Sequence, residues 1–128
     1  MKRLTLTLGL LVLAVVSIAC SPASGANPTT PTGPVDPNAP VVVAQNNAFS
    51  PATVNVKSGK AFSLTLDNKD AAPHNVAIYK DSSASEKVSI GEIVSSTSAT
   101  QQVPALDKGQ YFFRCDVHHE MIGTIVVE

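Results

Sequence analysis

The side chains best suited to bind a metal lie in one short stretch near the C-terminus. Cys115, His118, His119 and Met121 fall within seven residues, and the third histidine of the chain is His74. Thiolate, imidazole and thioether groups are the ligands that soft and borderline transition metals accept. The residue types and their spacing therefore predict a transition-metal site.

The combination of donors also indicates which metal to expect. One thiolate with two imidazoles and a weak axial thioether is the ligand set of blue-copper electron-transfer sites. Structural zinc prefers several thiolates or closed combinations of cysteine and histidine, and a thioether is not among its usual ligands. The donors therefore favour copper over zinc.

A catalytic role for the same residues is the enzymatic alternative. A nucleophilic cysteine needs a histidine to activate it, a third group to orient that histidine and a donor for the oxyanion. Asn75 is the only nearby candidate for the orienting group. Met121 would have no role beside such a thiol, so we expect that the chain is not an enzyme.

The elements that must position these side chains are β-strands. Apolar residues alternate with polar ones in three segments, which predicts half-buried strands; they are Val54 to Val56, Phe62 to Leu66 and Val76 to Ile78. Turn-forming residues separate the segments at short intervals. The pattern predicts an antiparallel sandwich of about seven or eight strands, in which the spacing Ser83 to Glu86 forms a loop or single turn.

This architecture explains how His74 could reach the C-terminal cluster. His74 follows Pro73 at the start of the predicted strand from Asn75 to Tyr79. Strand ends meet at common poles of a sandwich, so His74 can face the loop after Cys115 although about forty residues separate them. Four aromatic residues are predicted to lie in the core, namely Phe49, Phe62, Tyr111 and Phe113.

These motifs carry a resemblance to a known family. They are Ala48-Phe49-Ser50-Pro51, Pro73-His74-Asn75-Val76, Gly109-x-Tyr111-x-Phe113-x-Cys115 and Cys-x2-His-x2-Met. The domain from Val41 to Glu128 resembles a cupredoxin of the plastocyanin and amicyanin type. The resemblance implies an all-β Greek-key sandwich that shuttles single electrons through one type 1 copper ion.

The resemblance also implies roles for individual residues. Matched position gives His74, Cys115, His118 and Met121 as the copper ligands, and Asn75 as the residue that ties the His74 strand to the cysteine loop. We treat His119 as an exposed neighbour, because using it as the ligand would leave only one residue before Met121.

Arg114 departs from the pattern, because plastocyanins commonly place an exposed aromatic residue there on a docking surface. Electron transfer near His118 is therefore the expected route. The expected partners are redox proteins of the cytochrome or oxidase type, and we expect a monomer. A copper-binding protein for storage or delivery at the cell surface would use the same ligands and is the alternative function.

The N-terminus has the features of an export signal. Residues 1–19 begin with Lys2 and Arg3, continue with an apolar run too short to span a bilayer, and end in small residues before Cys20. This junction resembles the lipobox of bacterial lipoproteins, although Ser17 stands where leucine is favoured. We expect Cys20 to carry lipid and hold the protein on the membrane, facing the periplasm or the extracellular side. Secretion with cleavage nearby is the alternative.

Residues 20–40 form the predicted linker between this anchor and the domain at 41–128. The stretch from Ser21 to Pro40 holds six of the nine prolines of the chain and cannot form a core. Lipid on Cys20 would leave Cys115 as a lone thiol in an oxidising compartment, where a metal would protect it. The formal net charge of -1 offers no basic field for nucleic acid.

Overall fold

The computed structural model describes residues 38–128, which form a sandwich of two β-sheets. The strands are β1 (Val41–Gln45), β2 (Ala48–Ser50), β3 (Thr53–Val56), β4 (Phe62–Asn68), β5 (Ala77–Tyr79), β6 (Lys87–Ile90), β7 (Ser98–Val103), β8 (Gly109–Arg114) and β9 (Ile122–Val127). One sheet has the order β2-β1-β4-β7 and the other has the order β3-β9-β8-β5-β6. The β-sandwich predicted from the sequence is confirmed.

The core lies between the two sheets and follows the alternation in the sequence. On β8, Tyr111 and Phe113 point inward, and Cys115 continues the same face just beyond the strand. Phe49 packs against Phe113, with 5.4 Å between the ring centroids. The predicted core aromatics are therefore confirmed, although Phe62 is only partly buried at the edge of the core.

Residues 38–128 form nine strands, more than the seven or eight expected, and two of the strand pairs are parallel. β1 pairs with β4 and β3 pairs with β9 in the same direction, whereas an antiparallel sandwich was expected. The chain leaves the first sheet after β2 and enters the second sheet at β3. Strands β1 and β3 therefore each have a parallel partner that is not adjacent to them in the sequence. Alternation with a period of two is the same in both pairings, so the sequence pattern could not show strand direction.

The segment from Val76 to Tyr79 is buried on both faces, where a half-buried strand was expected. β5 lies between β8 and β6, and Val76 and Ile78 belong to the core. On the opposite face, the guanidinium of Arg114 lies 5.0 Å from the ring centroid of Tyr79 and covers it. The long side chain of Arg114 thus buries an aromatic residue outside the core.

Residues 38–128 contain strands, turns and loops and no helix, and the region of Ser83 is a turn as expected. A search of these same residues finds no helical segment with the length and hydropathy needed to cross a membrane. The predicted signal segment, Cys20 and nearly all of the predicted linker lie outside the described residues.

Candidate metal centre

Cys115 lies at the point where β8 ends, and its side chain is fully buried. The residues of β8 alternate between the two faces of the sheet, which directs Cys115 into the same side as Tyr111 and Phe113. Its amide donates a hydrogen bond of 3.0 Å to the carbonyl of Met121. This bond closes the loop from Cys115 to Met121 at its base.

His74 lies at the same pole of the sandwich, although it precedes Cys115 by 41 residues. Its amide and carbonyl each form a 3.0 Å hydrogen bond with Val94, which makes an isolated antiparallel bridge. The side chain is fully buried, and its Nδ1 atom lies 3.8 Å from Cys115 Sγ. His74 is therefore a buried imidazole that lies beside the sulfur of Cys115.

His118 supplies the second imidazole at this pole. Its Nδ1 atom lies 3.9 Å from Cys115 Sγ, and its ring centroid lies 4.7 Å from that of His74. The ligand atoms of His74, Cys115 and His118 all lie within 4.8 Å of one another. His118 is half-buried, so it is the more accessible of the two imidazoles.

Met121 and His119 occupy contrasting positions in the same loop. The Met121 side chain is only 2% exposed, and its amide donates a 3.0 Å hydrogen bond to the His118 carbonyl. His119 is exposed to solvent. The structure thus buries the Met121 side chain in the core, while His119 lies outside the cluster of ligand atoms.

The spacing of the donors fits one transition-metal ion. Bonds from such an ion to sulfur and to imidazole nitrogen are about 2.3 and about 2.0 Å, which together exceed the observed sulfur-to-nitrogen separations of 3.8 and 3.9 Å. The distances therefore allow one ion to lie between Cys115 Sγ and each of the two imidazoles. A trigonal group of one thiolate and two imidazoles with a weak axial thioether is the donor set of type 1 copper.

Asp70 is a residue of this site that the sequence analysis missed. Its Oδ2 atom lies 3.2 Å from Nε2 of His74, on the side of the ring away from Cys115. Amide hydrogen bonds from Asn47 and Asn46 hold the pKa of the Asp70 carboxyl below its ordinary value. The sequence did not indicate this role, because nothing in it places the β1–β2 turn beside Asp70. A carboxylate at this position fixes the orientation of a metal-binding imidazole.

Asn75 lies where the sequence predicted it, between the His74 segment and the cysteine loop. Its Oδ1 atom accepts a 2.8 Å hydrogen bond from the amide of Asp116, the residue after Cys115. Its Nδ2 atom lies 3.3 Å from the Gly91 carbonyl. The contacts of Asn75 therefore connect the chain next to His74 with the chain next to Cys115.

Tyr79, Arg114 and Asp116 form a polar cluster on the outer side of this connection, and the sequence did not indicate it. The Tyr79 hydroxyl donates a hydrogen bond to Asp116 Oδ1. Arg114 Nε lies 3.7 Å from the same oxygen. Burial and then the contact with Asp116 raise the pKa of the Tyr79 phenol, so it remains a hydrogen-bond donor at neutral pH.

Comparisons with known proteins agree with this geometry. Plastocyanin A/B of Petroselinum crispum is 31% identical over 74 residues, which cover 55% of this chain and 74% of the plastocyanin. An oxidised amicyanin variant is 26% identical with a TM-score of 0.57, and a variant with Cu(I) is 25% identical with the same score. In both cases the match covers 74% of this chain and 87% of the amicyanin.

A more distant structure shows the same fold. Auracyanin A, a blue copper protein from Chloroflexus aurantiacus, has a TM-score of 0.63 at 17% identity over 69% of this chain and 96% of its own. The family profile of the cupredoxin-like domain matches residues 9–127. The donors and the family together support one type 1 copper ion as the cofactor. From the extent of this match, the chain belongs to the cupredoxin-like domain family.

Proposed function

We propose that this protein carries single electrons through one type 1 copper ion held by His74, Cys115, His118 and Met121. The observation that carries the proposal is the placement of Cys115 Sγ 3.8 and 3.9 Å from the Nδ1 atoms of His74 and His118, inside a cupredoxin fold. The ion supplies one-electron redox chemistry when bound. The protein supplies a fixed set of donors and a buried site.

The chain is built to keep these donors in place during electron transfer. The loop is closed by hydrogen bonds from Cys115 to Met121 and from Met121 to His118, each 3.0 Å long. His74 is held separately by its backbone bridge to Val94 and by Asp70. Donors that move little between the two oxidation states keep the reorganisation energy small, which favours fast transfer.

The exposed edge of His118 is the proposed route for electrons. His74 is fully buried, whereas His118 is half-buried and its neighbour Val117 is 45% exposed. Arg114 packs over Tyr79 instead of presenting an aromatic side chain to a partner. We therefore favour partners that dock over His118, and redox proteins of the cytochrome or oxidase type fit this role.

The proposed location is the outer side of the cytoplasmic membrane, with lipid on Cys20 as the anchor. The basic residues at the start, the apolar run and the Ala19-Cys20 junction support export and lipidation. The proline-rich linker before Val41 would hold the domain away from the membrane surface, where soluble or membrane-bound partners could reach it.

Repeated redox cycling separates an electron carrier from a copper storage or delivery protein. The copper-loaded full chain is reduced and reoxidised several times in the presence of a Cu(I) chelator, and bound copper is measured after each cycle. An electron carrier retains its copper and shows one reversible wave in voltammetry. Transfer of the copper to the chelator in the first reduction would instead support delivery.

A further inference from the structure

A second group of side chains lies on the outer surface of the β5–β8 pair, next to the chain that carries Cys115. Asp116 follows Cys115 directly, while Tyr79 ends β5 and is fully buried. Asp116 Oδ1 accepts a hydrogen bond from the Tyr79 hydroxyl, and Asn75 Nδ2 lies 3.5 Å from Asp116 Oδ2. Neither Tyr79 nor Asp116 is among the proposed ligands.

We propose that Tyr79 and Asp116 act together as positioning residues of the copper site. The Tyr79 phenol fixes the Asp116 carboxylate, and the fixed carboxylate holds the Cys115 end of the ligand loop and sets the negative charge beside the ion. This inference rests on the proposed electron-carrier function.

The first argument is geometric. Asn75 follows His74 in the sequence, and Asp116 follows Cys115. The 2.8 Å hydrogen bond from the Asp116 amide to Asn75 Oδ1 therefore joins the two chain segments beside these proposed ligands. Among the contacts of the Asp116 side chain, Asn75 at 3.5 Å and Arg114 Nε at 3.7 Å are long. The hydrogen bond from Tyr79 is therefore the one that defines where this carboxylate lies.

The burial of the cluster strengthens this contact. Tyr79 is fully buried beneath the guanidinium of Arg114, and Asp116 is only partly exposed. A hydrogen bond to a charged group that is shielded from water is stronger than one at the surface. A tyrosine hydroxyl in this place can therefore hold a loop that is otherwise anchored by backbone bonds.

The second argument is electrostatic and predicts shifts of opposite sign in the reduction potential for changes at the two residues. A carboxylate near the metal favours Cu(II) over Cu(I) and lowers the reduction potential. A hydrogen bond donated by Tyr79 withdraws part of that negative charge. Removing the carboxylate should raise the potential, whereas removing only the hydroxyl should lower it.

The test uses the copper-loaded full chain at neutral pH. We expect Asp116→Asn to raise the reduction potential in voltammetry and Tyr79→Phe to lower it. The shift caused by Tyr79→Phe should shrink in the Asp116→Asn background, because the two residues act through one contact. The copper hyperfine splitting in electron paramagnetic resonance should change in both single variants, since the Cys115 end of the loop is repositioned.

Two matched variants serve as controls. Tyr111→Phe removes a hydroxyl from the neighbouring strand, where its partner is Lys80 Nζ at 3.4 Å. Glu120→Gln removes a carboxylate from an exposed residue of the ligand loop. Both controls should shift the potential less than the matching variant at Tyr79 or Asp116.

Defined results would overturn the inference. It fails if Tyr79→Phe behaves like Tyr111→Phe, if Asp116→Asn shifts the potential no more than Glu120→Gln, or if the two single variants shift it in the same direction. Should Asp116→Asn not fold, Tyr79→Phe against Tyr111→Phe still decides. Absence of a copper–thiolate band in the unaltered protein would be a different result, because it would reject the proposed function itself.

Discussion

His118 and His119 are adjacent in sequence but differ in what their side chains contact. His118 Nδ1 faces Cys115 Sγ at 3.9 Å, and its ring is half-buried against His74. His119 is exposed to solvent. The structure therefore favours His118 over the adjacent His119 as the second imidazole ligand.

Alanine substitutions at these two positions test the assignment. We expect His118→Ala to abolish or strongly alter the copper spectrum, because the ion loses one of its three strong donors. His119→Ala should leave the visible spectrum nearly unchanged and is the matched control. The opposite pattern would move the ligand to His119.

Asp70 is the residue whose removal should weaken copper binding without removing a ligand. Its carboxylate lies 3.2 Å from His74 Nε2 and contacts the ring on the side away from Cys115. Loss of such a partner of a metal-binding histidine typically costs about 10- to 100-fold in metal affinity. We expect Asp70→Ala to show a loss of this size in a competitive copper titration.

Asp67→Ala is the control for Asp70→Ala. Asp67 lies in the same region of the chain, but its partners are Lys69 and Ser98 and not a proposed ligand. Equal copper affinities in the two variants would contradict the role assigned to Asp70.

At the scale of elements, the β8–β9 pair supports the ligand loop through a close contact. Gly123 is the direct partner of Phe113 across the pair, and the Phe113 ring lies where a Cβ atom at Gly123 would project. Phe113 itself is fully buried and packs against Phe49. The absence of a side chain at Gly123 is therefore required by the packing of β8, the strand that ends just before Cys115.

Gly123→Ala should destabilise the sandwich. Forcing an extra methyl group into a filled core costs about 1 to 3 kcal/mol, and here it would displace an aromatic ring. Denaturant unfolding of the copper-free protein measures the change in free energy of unfolding. Thr124→Ala, at the half-buried next position of β9, should cost less. Equal stability of Gly123→Ala and the unaltered protein would contradict the packing described.

The ligand loop could be predicted from the sequence because three of its donors are local in the chain. Cys115, His118 and Met121 share one loop, and alternation predicted the strand that follows His74. Asp70 could not be identified, although it is only four residues from His74, because the sequence did not show that its carboxylate contacts the imidazole ring or the β1–β2 turn. Tyr79 and Asp116 could not be identified because the pairing of β5 with β8 brings them together. The parallel pairs were missed because alternation does not record strand direction.

At the scale of the whole molecule, the arrangement is a β-sandwich with the proposed copper site at one pole. The site combines His74, which precedes β5, with the loop between β8 and β9, and these three strands are neighbours in the five-stranded sheet. The family match begins at residue 9 and extends into the N-terminal region beyond the described residues. The proposed anchor at Cys20 therefore has to be tested on the full chain.

Cys20→Ser tests the anchor. In cells, we expect this substitution to move the protein from the membrane fraction to the soluble or uncleaved pool, because a hydroxyl cannot accept the thioether-linked lipid. Mass spectrometry of the native N-terminus is the companion measurement. An unmodified N-terminal residue other than Cys20 would rule out the lipid anchor while leaving export possible.

The spectrum of the full chain loaded with Cu(II) tests the type 1 copper centre most directly. Cys115 is the only cysteine in the described part of the chain, and its Sγ atom lies beside both proposed imidazole ligands, so we expect the charge-transfer band to come from it. We predict an intense blue or green thiolate-to-copper band that is lost in Cys115→Ser, because an alcohol cannot supply the charge-transfer ligand. A colourless copper complex of the stably folded protein would contradict the account.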